Sequence, residues 1–266
     1  MTTDEITKDE FMRPLITLIK REFTAYFLSP VAYVTLAVFL LVTGYLFYLT
    51  LEGLTTSGPR GVEYPMQGLL GDEKFWLVFL FVPPLLTMRL FAEERGTGTL
   101  EALLTAPIRD WQVVMGKYIA CFLFYVVLWL PTLLYLPILT NMDWETGAFR
   151  IDPNPVWTSY IGVILAGGMF LAIGLFVSSL VKSQLVAAMI AMVIGLVFVV
   201  AGFWRPDLDT GSLAYRLIFF ISVPEHFRRD FTRGLIDTRH LTLYVSVTVF
   251  CLFLTMRSLE ARRLRA

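Results

Sequence analysis

The sequence has few of the residues on which soluble and catalytic proteins depend. Only 17% of its 266 residues are charged, and it contains two cysteines and two histidines. Soluble domains average about 25% charged residues, so the composition argues against an ordinary soluble domain. Two cysteines and two histidines are too few for a disulfide scaffold or a Cys/His zinc site. We therefore expect no metal site and no catalytic residues.

An excess of charge of either sign is also missing. The 22 basic side chains balance the 22 acidic ones. Nucleic-acid binders need a basic face, so we expect no nucleic-acid partner. The acidic, polar start at residues 1–10 lacks the basic and apolar regions of a signal peptide.

Apolar residues make up most of the chain. They account for 56% of it, and the mean hydropathy is +0.67. A helix needs roughly 20 apolar residues to cross the hydrocarbon core of a membrane. Runs of about that length predict six spans, at 31–51, 75–91, 114–140, 156–181, 183–204 and 241–257. Residues 1–266 are therefore predicted to form a single all-α integral membrane domain, with a kink at Pro83-Pro84 in the second span.

The fifth predicted span carries small residues at steps of four. They are Ser183, Ala187, Ala191 and Gly195. Such a stripe permits close contact with another helix, either of this chain or of a second copy. A turn is expected at 181–184, because one helix through spans 4 and 5 would be about 70 Å long. Lys117, at the start of span 3, is expected to snorkel to the membrane surface.

Six spans place both termini on the same side of the membrane. Basic residues are more numerous on that side, although the loop 205–240 on the other side carries six arginines. The positive-inside rule then places both termini in the cytoplasm and the chain in the inner or plasma membrane. Within the loop, Glu225 and Arg229 have the spacing of a helical ion pair. His226 and His240 are expected to be interfacial side chains rather than ligands.

Residues 14–28 are expected to form an amphipathic helix on the inner membrane surface. Its apolar residues recur at spacings of three and four, and are Ile16, Ile19, Phe23, Tyr26 and Phe27. Pro14 suits the first position of the helix, and Ser29-Pro30 ends it. The alternative is a soluble helix that packs on another part of the protein.

The segment 93–107, between spans 2 and 3, combines helix breakers with a short apolar pattern. Gly96 and Gly98 can end the incoming helix, and Thr99 can cap the next one. Leu100, Leu103 and Leu104 then lie on one helical face. The pattern predicts a leucine stripe exposed to the cytosol, which needs lipid or protein to cover it. A helix that only seats the loop on the membrane is the simpler alternative.

This segment resembles the cytoplasmic signature of type-2 ABC exporter permeases. The residues that carry the resemblance are Glu93, Glu94, Arg95, Gly96, Thr97, Gly98, Thr99, Leu100, Glu101, Leu103, Leu104, Thr105 and Pro107. Residues 18–30 are similar to the elbow helix of that family, and residues 225–244 look like its last outer loop and sixth span. The resemblance is closest to the gliding-motility-associated subgroup.

The resemblance implies a permease subunit that is driven by a separate ABC ATPase. The segment 93–107 would be the coupling helix that docks on this partner, and ATP and Mg²⁺ would bind there. The chain has no Gly-x-x-x-x-Gly-Lys-[Ser/Thr] loop of its own. A second permease copy, identical or related, would complete the transporter. The loop 205–240 would hold short helices in the outer leaflet, in contact with membrane lipid.

Two other functions fit part of the pattern. A membrane anchor or scaffold of an ABC-type complex, without transport, would show the same docking segment. A stand-alone carrier or membrane enzyme is disfavoured, because no span carries a carboxylate at its centre or a cluster of acids and nucleophiles.

Overall fold

The computed structural model describes residues 3–57, 65–100, 108–140, 153–201 and 212–263, which contain helices and turns but no strands. The α-helices are α1 Thr3–Leu28, α2 Pro30–Ser57, α3 Pro65–Leu70, α4 Glu73–Phe79, α5 Val82–Thr87, α6 Ala92–Thr97, α7 Asp110–Trp129, α8 Tyr135–Thr140, α9 Pro153–Leu180, α10 Gln184–Val200, α11 Leu213–Ile221, α12 Val223–Arg229 and α13 Thr238–Arg263. Short 3-10 helices cover Leu130–Leu134 and Phe231–Arg233.

Four stretches within the described ranges are long and apolar enough to cross a membrane. They are Pro30–Gly53, Asp110–Ile138, Asn154–Leu180 and Thr238–Arg263. They match predicted spans 1, 3, 4 and 6, so the all-helical membrane character is confirmed. The stretch in α9 lies at the centre of the bundle: 78% of its apolar window is buried, against 28–39% for the other three.

Predicted span 2 is broken into two short helices. α4 ends at Phe79, and α5 begins at Val82 with Pro83 and Pro84 in its first turn. Proline has no N–H and fixes its own φ, so it fits the start of a helix better than its interior. The predicted kink is therefore present, and it lies just before the proline pair. The N–H of Leu80 donates to the Trp76 carbonyl at 3.0 Å, which completes the last turn of α4.

The helix α1 differs from the predicted surface helix in its length and in its buried face. It begins at Thr3, so Pro14 lies inside it rather than at its first position. Ile16 and Phe27 are 46% and 38% exposed, although the sequence pattern placed both on the apolar face. Ile19 and Phe23 are half-buried, and only Tyr26 of the five predicted residues is buried.

Packing against α7 decides which face of α1 is buried. Leu15, Leu18 and Tyr26 are the buried apolar residues of its described side chains. A Cβ on Gly116 of α7 would lie 2.7 Å from Cδ2 of Leu18, so this glycine leaves room for the leucine. The apolar residues of α1 cover more than one face, and the glycine of a distant helix selects one of them.

The turn between α9 and α10 lies where it was predicted. α9 ends at Leu180 and α10 begins at Gln184. Ala187, Ala191 and Gly195 are on the buried face of α10, and Ser183 precedes the helix as its N-cap residue. A Cβ on Gly195 would lie 2.7 Å from a methyl group of Leu80. The stripe therefore packs against helices of the same chain.

The closest approach of α7 to α9 depends on Gly167. A Cβ at this position would lie 2.2 Å from Cζ of Tyr125. The Tyr125 ring is fully buried, and its hydroxyl donates to the Val163 carbonyl at 3.0 Å. The ring cannot move aside without losing this hydrogen bond and its packing.

We expect Gly167→Ala to lower the free energy of unfolding by about 1–3 kcal/mol, because an added methyl group overpacks a dense interior. Thermal unfolding in detergent measures the change. Gly53→Ala is the matched control, since nothing lies within 4 Å of a Cβ there and alanine is the better helix former. Equal melting temperatures for the two variants would contradict the prediction.

Candidate functional site

The helix α9 holds the start of the segment that follows predicted span 2. The Ser178 hydroxyl, near the end of α9, accepts hydrogen bonds from the N–H groups of Phe91 at 3.1 Å and Ala92 at 3.0 Å. It also donates to the carbonyl of Met88 at 3.1 Å. The first turn of a helix has N–H groups without intrahelical partners. A side chain of the central helix therefore caps α6.

The turn after α9 holds the other end of α6. Nη1 of Arg95 donates to the carbonyl of Ser179 at 2.9 Å. A Cβ on Gly96 would lie 3.0 Å from the carbonyl oxygen of Lys182, so the glycine allows the backbone to approach this turn closely. The helix α6 is thus fixed to α9 at both of its ends.

Lys117 of α7 connects α6 to α1. Its Nζ donates to Oε1 of Glu94 in α6 at 2.7 Å and to Oε1 of Glu22 in α1 at 3.3 Å. It also lies 5.4 Å from the ring centroid of Phe91. Lys117 is 1% exposed, so the expectation that it snorkels to the surface is wrong. The ammonium stays inside because two carboxylates from other helices reach it.

The charge on Glu22 depends on this contact. Burial by itself raises the pKa of Glu22, but Lys117 and Arg21 outweigh burial and hold the pKa below its usual range. The carboxylate is therefore ionised at neutral pH. A lowered pKa in the folded state stabilises the fold above the unfolded-state pKa, and this stability is lost as the pH falls through the folded-state pKa.

A second set of contacts joins the α1–α2 junction to the same segment. Nη1 of Arg89 donates to the Ser29 hydroxyl at 2.6 Å, and its guanidinium carbon lies 4.9 Å from the Tyr26 ring centroid. The Tyr26 hydroxyl donates to the Leu86 carbonyl at 2.8 Å. The Tyr26 ring stacks on Phe124 of α7, with 4.8 Å between the centroids.

The structure alters part of the predicted leucine stripe. Gly98 ends α6 with a φ of 75°, which glycine adopts without strain. Thr99 is already helical rather than a cap, and Leu100 is 5% exposed and part of the core. The expectation of an exposed leucine is therefore wrong at Leu100, because the turn at Gly98 directs it inward. Glu101, Leu103, Leu104, Thr105 and Pro107 lie outside the described residues.

Several predicted site residues remain on the outer surface of the segment. They are Glu93, Gly96, Thr97, Gly98 and Thr99. The hydroxyls of Thr97 and Thr99 lie 2.9 Å apart. The described part of the segment therefore has a polar outer face and an inner face tied to α1, α7 and α9.

One family of known proteins accounts for this arrangement. Residues 66–223, more than half of the chain, match the family described as ABC-2 family transporter protein. The chain belongs to this family. It is therefore a multi-pass membrane protein and the permease component of an ABC transporter. Among curated proteins, none matches the chain.

The described part of the loop 205–240 of this ABC-2 permease is packed against the rest of the chain. His226 is 2% exposed, so its predicted interfacial position is wrong. Its Nδ1 lies 2.9 Å from the Tyr244 hydroxyl, and Nε2 lies 3.2 Å from the Phe219 carbonyl. The His226 ring stacks on His240, with 3.7 Å between centroids. These partners lie too far along the chain for a local pattern to indicate them.

Charged groups of this loop pair with one another. Glu225 binds Arg229, as the spacing predicted, and also Arg228 at 3.0 Å. His240 lies 2.8 Å from a carboxylate oxygen of Asp230. Together with Asp237, these two residues are the described group whose geometry could hold an ion. The Asp237 carboxylate also caps the N–H of Arg239 at 2.9 Å.

We expect Lys117→Met to lower the free energy of unfolding of the permease by about 3–5 kcal/mol, because it leaves the partly buried carboxylate of Glu94 without a counter-ion and that of Glu22 with Arg21 alone. The triple variant with Glu22→Gln and Glu94→Gln should recover most of the loss, since the unpaired charges are then gone. Thermal unfolding measures both. Lys182→Met, at an exposed lysine, is the control. A triple variant no more stable than Lys117→Met would contradict this account.

The loop 205–240 should make the stability of the permease depend on pH. Burial and the neighbouring His240 lower the pKa of His226 to about 3, whereas an unfolded histidine titrates near 6.5. Between these two pKa values, His226 binds a proton in the unfolded state but not in the folded state. Stability should fall as the pH decreases from about 6.5 toward 3, by up to about 1.4 kcal/mol per pH unit. Melting temperatures measured from about pH 7 to about pH 5 should fall, and His226→Gln should flatten this slope. An equal dependence of melting temperature on pH in the unmodified permease and in His226→Gln would refute this prediction.

Proposed function

We propose that this permease is the membrane subunit of an ATP-driven exporter and that its segment 93–107 is the coupling helix for a separate ABC ATPase. In this proposal both termini and the segment face the cytoplasm. α4 with α5, and α10, are the remaining two of six spans. α10 has 17 residues and rises about 26 Å, close to the roughly 30 Å of a hydrocarbon core. The motif resemblance favours the gliding-motility-associated subgroup.

The observation that carries the proposal is the attachment of α6 to three other helices. Ser178 and Arg95 bind the segment to α9, and Lys117 binds it to α7 and α1. Closure of two ATPase subunits would displace the segment. Because its inner contacts are buried hydrogen bonds and ion pairs, the displacement would move these helices rather than only the loop.

The remaining parts of the chain take the roles that the family resemblance implies. In our proposal α1 is the elbow helix on the inner leaflet, with Ile16, Phe27 and Leu28 exposed toward lipid. The helices α11 and α12 are the short helices near the outer leaflet. A second permease copy, identical or related, and two ATPase subunits complete the transporter. ATP and Mg²⁺ bind to the ATPase and not to this chain.

Leu104→Asp tests the docking role. After co-expression with candidate ABC ATPases, we expect this variant to retain roughly tenfold less ATPase than the unmodified permease, because a charge at an apolar anchor removes a binding hot spot. Co-purification measures the retained subunit. Leu235→Asp is the matched control, since Leu235 is 59% exposed in the outer loop. Equal retention of ATPase by both variants would reject the docking role.

ATP turnover of the complex separates transport from a purely anchoring role. The triple variant Lys117→Met, Glu22→Gln, Glu94→Gln keeps the outer face of the segment but weakens its inner contacts. A transporter should keep the ATPase bound while its turnover changes, because the spans no longer follow the segment. An anchor without transport should show unchanged association and unchanged turnover.

A further inference from the structure

A polar cavity of about 330 Å³ lies between α1 and the segment that contains α6. Its charged lining residues are Glu22, Glu93, Glu94, Arg89 and Lys117. Lys117 already forms ion pairs with Glu22 and Glu94. Glu93 has no ion-pair partner among the described residues. Three carboxylates therefore face two cations in the lining, while Arg21 pairs with Glu22 from outside the cavity. Among the described lining residues, Glu93 is the carboxylate without a counter-ion.

One carboxylate oxygen at the cavity has no hydrogen-bond donor. Oε1 of Glu94 binds Lys117, whereas Oε2 is buried and unpartnered. A buried acceptor without a donor is unfavourable, and more so when it is charged. This oxygen has almost no accessible surface, so a ligand in the cavity meets the charge of Glu94 without reaching Oε2. A compact ammonium group would instead bind the exposed carboxylate of Glu93.

The same cavity has donors for an anionic group. Arg89 uses Nη1 for the hydroxyl of Ser29 and lies over the ring of Tyr26. A guanidinium has five N–H groups in a planar fork, so others are left for a phosphate oxygen. Acceptors for an ammonium and donors for a phosphate thus lie in one cavity. A phosphoethanolamine headgroup has both groups.

An apolar groove of about 370 Å³ begins beside the cavity, between α2 and the α4–α5 pair. Its lining includes Val31, Val34, Val38, Phe81 and Leu85. Pro30, at the start of the groove, directly follows Ser29, which is hydrogen-bonded to Arg89 of the cavity. Val34, Val38 and Phe81 are more than half exposed. The groove is therefore open along its length, as an acyl chain in a bilayer would require.

We propose that the cavity and the groove together bind one phospholipid with a primary-amine headgroup, such as phosphatidylethanolamine. The ammonium lies at Glu93, beside the charge of Glu94, the phosphate at Arg89, and one acyl chain along the groove. A lipid fits better than a free solute because an apolar channel adjoins the polar cavity. Placing this lipid in the cytoplasmic leaflet rests on the proposed function, whereas the binding itself does not.

Retention of lipid by the full chain tests the proposal. The purified protein is mixed with equal amounts of phosphatidylethanolamine, phosphatidylcholine and phosphatidylglycerol of matched chains, and bound lipid is counted by native mass spectrometry. We expect phosphatidylethanolamine to be retained preferentially. Glu93→Gln should reduce its preference over phosphatidylcholine roughly tenfold, the effect of losing one charge-assisted hydrogen bond. Glu260→Gln, at an exposed glutamate outside the site, should not.

Three outcomes would overturn the proposal. They are equal retention of the three lipids, a preference for phosphatidylglycerol, and an unchanged preference in Glu93→Gln, which leaves the Lys117 ion pairs intact. Free phosphoethanolamine is added as a competitor in the last part of the experiment. If it displaces bound phosphatidylethanolamine as well as the free lipid does, the groove has no part in binding. Val34→Trp should fill the groove and lower lipid retention. Leu104→Asp should leave retention unchanged, so failure of the docking role is distinguishable from failure of this site.

Discussion

The buried ammonium of Lys117 is the constraint on which the arrangement of this permease depends. An unpaired charge inside a protein is very unfavourable, and it is tolerated when carboxylates and hydrogen bonds surround it. Here the carboxylates come from α1 and α6, while the lysine belongs to α7. Satisfying one side chain therefore fixes three helices relative to one another, at the point where the chain leaves predicted span 2.

Close packing around α9 extends this constraint through the bundle. Helices in lipid gain little from hydrophobic burial against each other, so small residues that allow close contact set their positions. Gly167 leaves room for the side chain of Tyr125 of α7, and Gly174 leaves room for that of Thr87 of α5. The same helix ends in Ser178, which caps α6. Packing in the apolar interior thus positions the polar end that holds the segment containing α6.

Two proposed roles meet at Glu94. Its Oε1 belongs to the ion pair that ties the segment to the spans, and its side chain also lines the cavity of the proposed lipid site. An ammonium group in this cavity would be attracted by the same carboxylate that binds Lys117. Lipid occupancy and the rigidity of the segment that contains α6 would therefore be linked, since any group that binds one arrangement better than another stabilises that arrangement.

The sequence by itself determined the long apolar helices and several of their breaks, because apolar run length, proline and glycine act locally. The four long apolar helices, the kink before Pro83-Pro84 and the turn at 181–183 all follow from such signals. Only the tertiary structure decided which side chains meet. Lys117 was expected at the surface and Leu100 exposed, yet both are buried, because their surroundings include residues far away in the sequence. Local periodicity can show that a face is apolar, but it cannot show which distant helix will cover it.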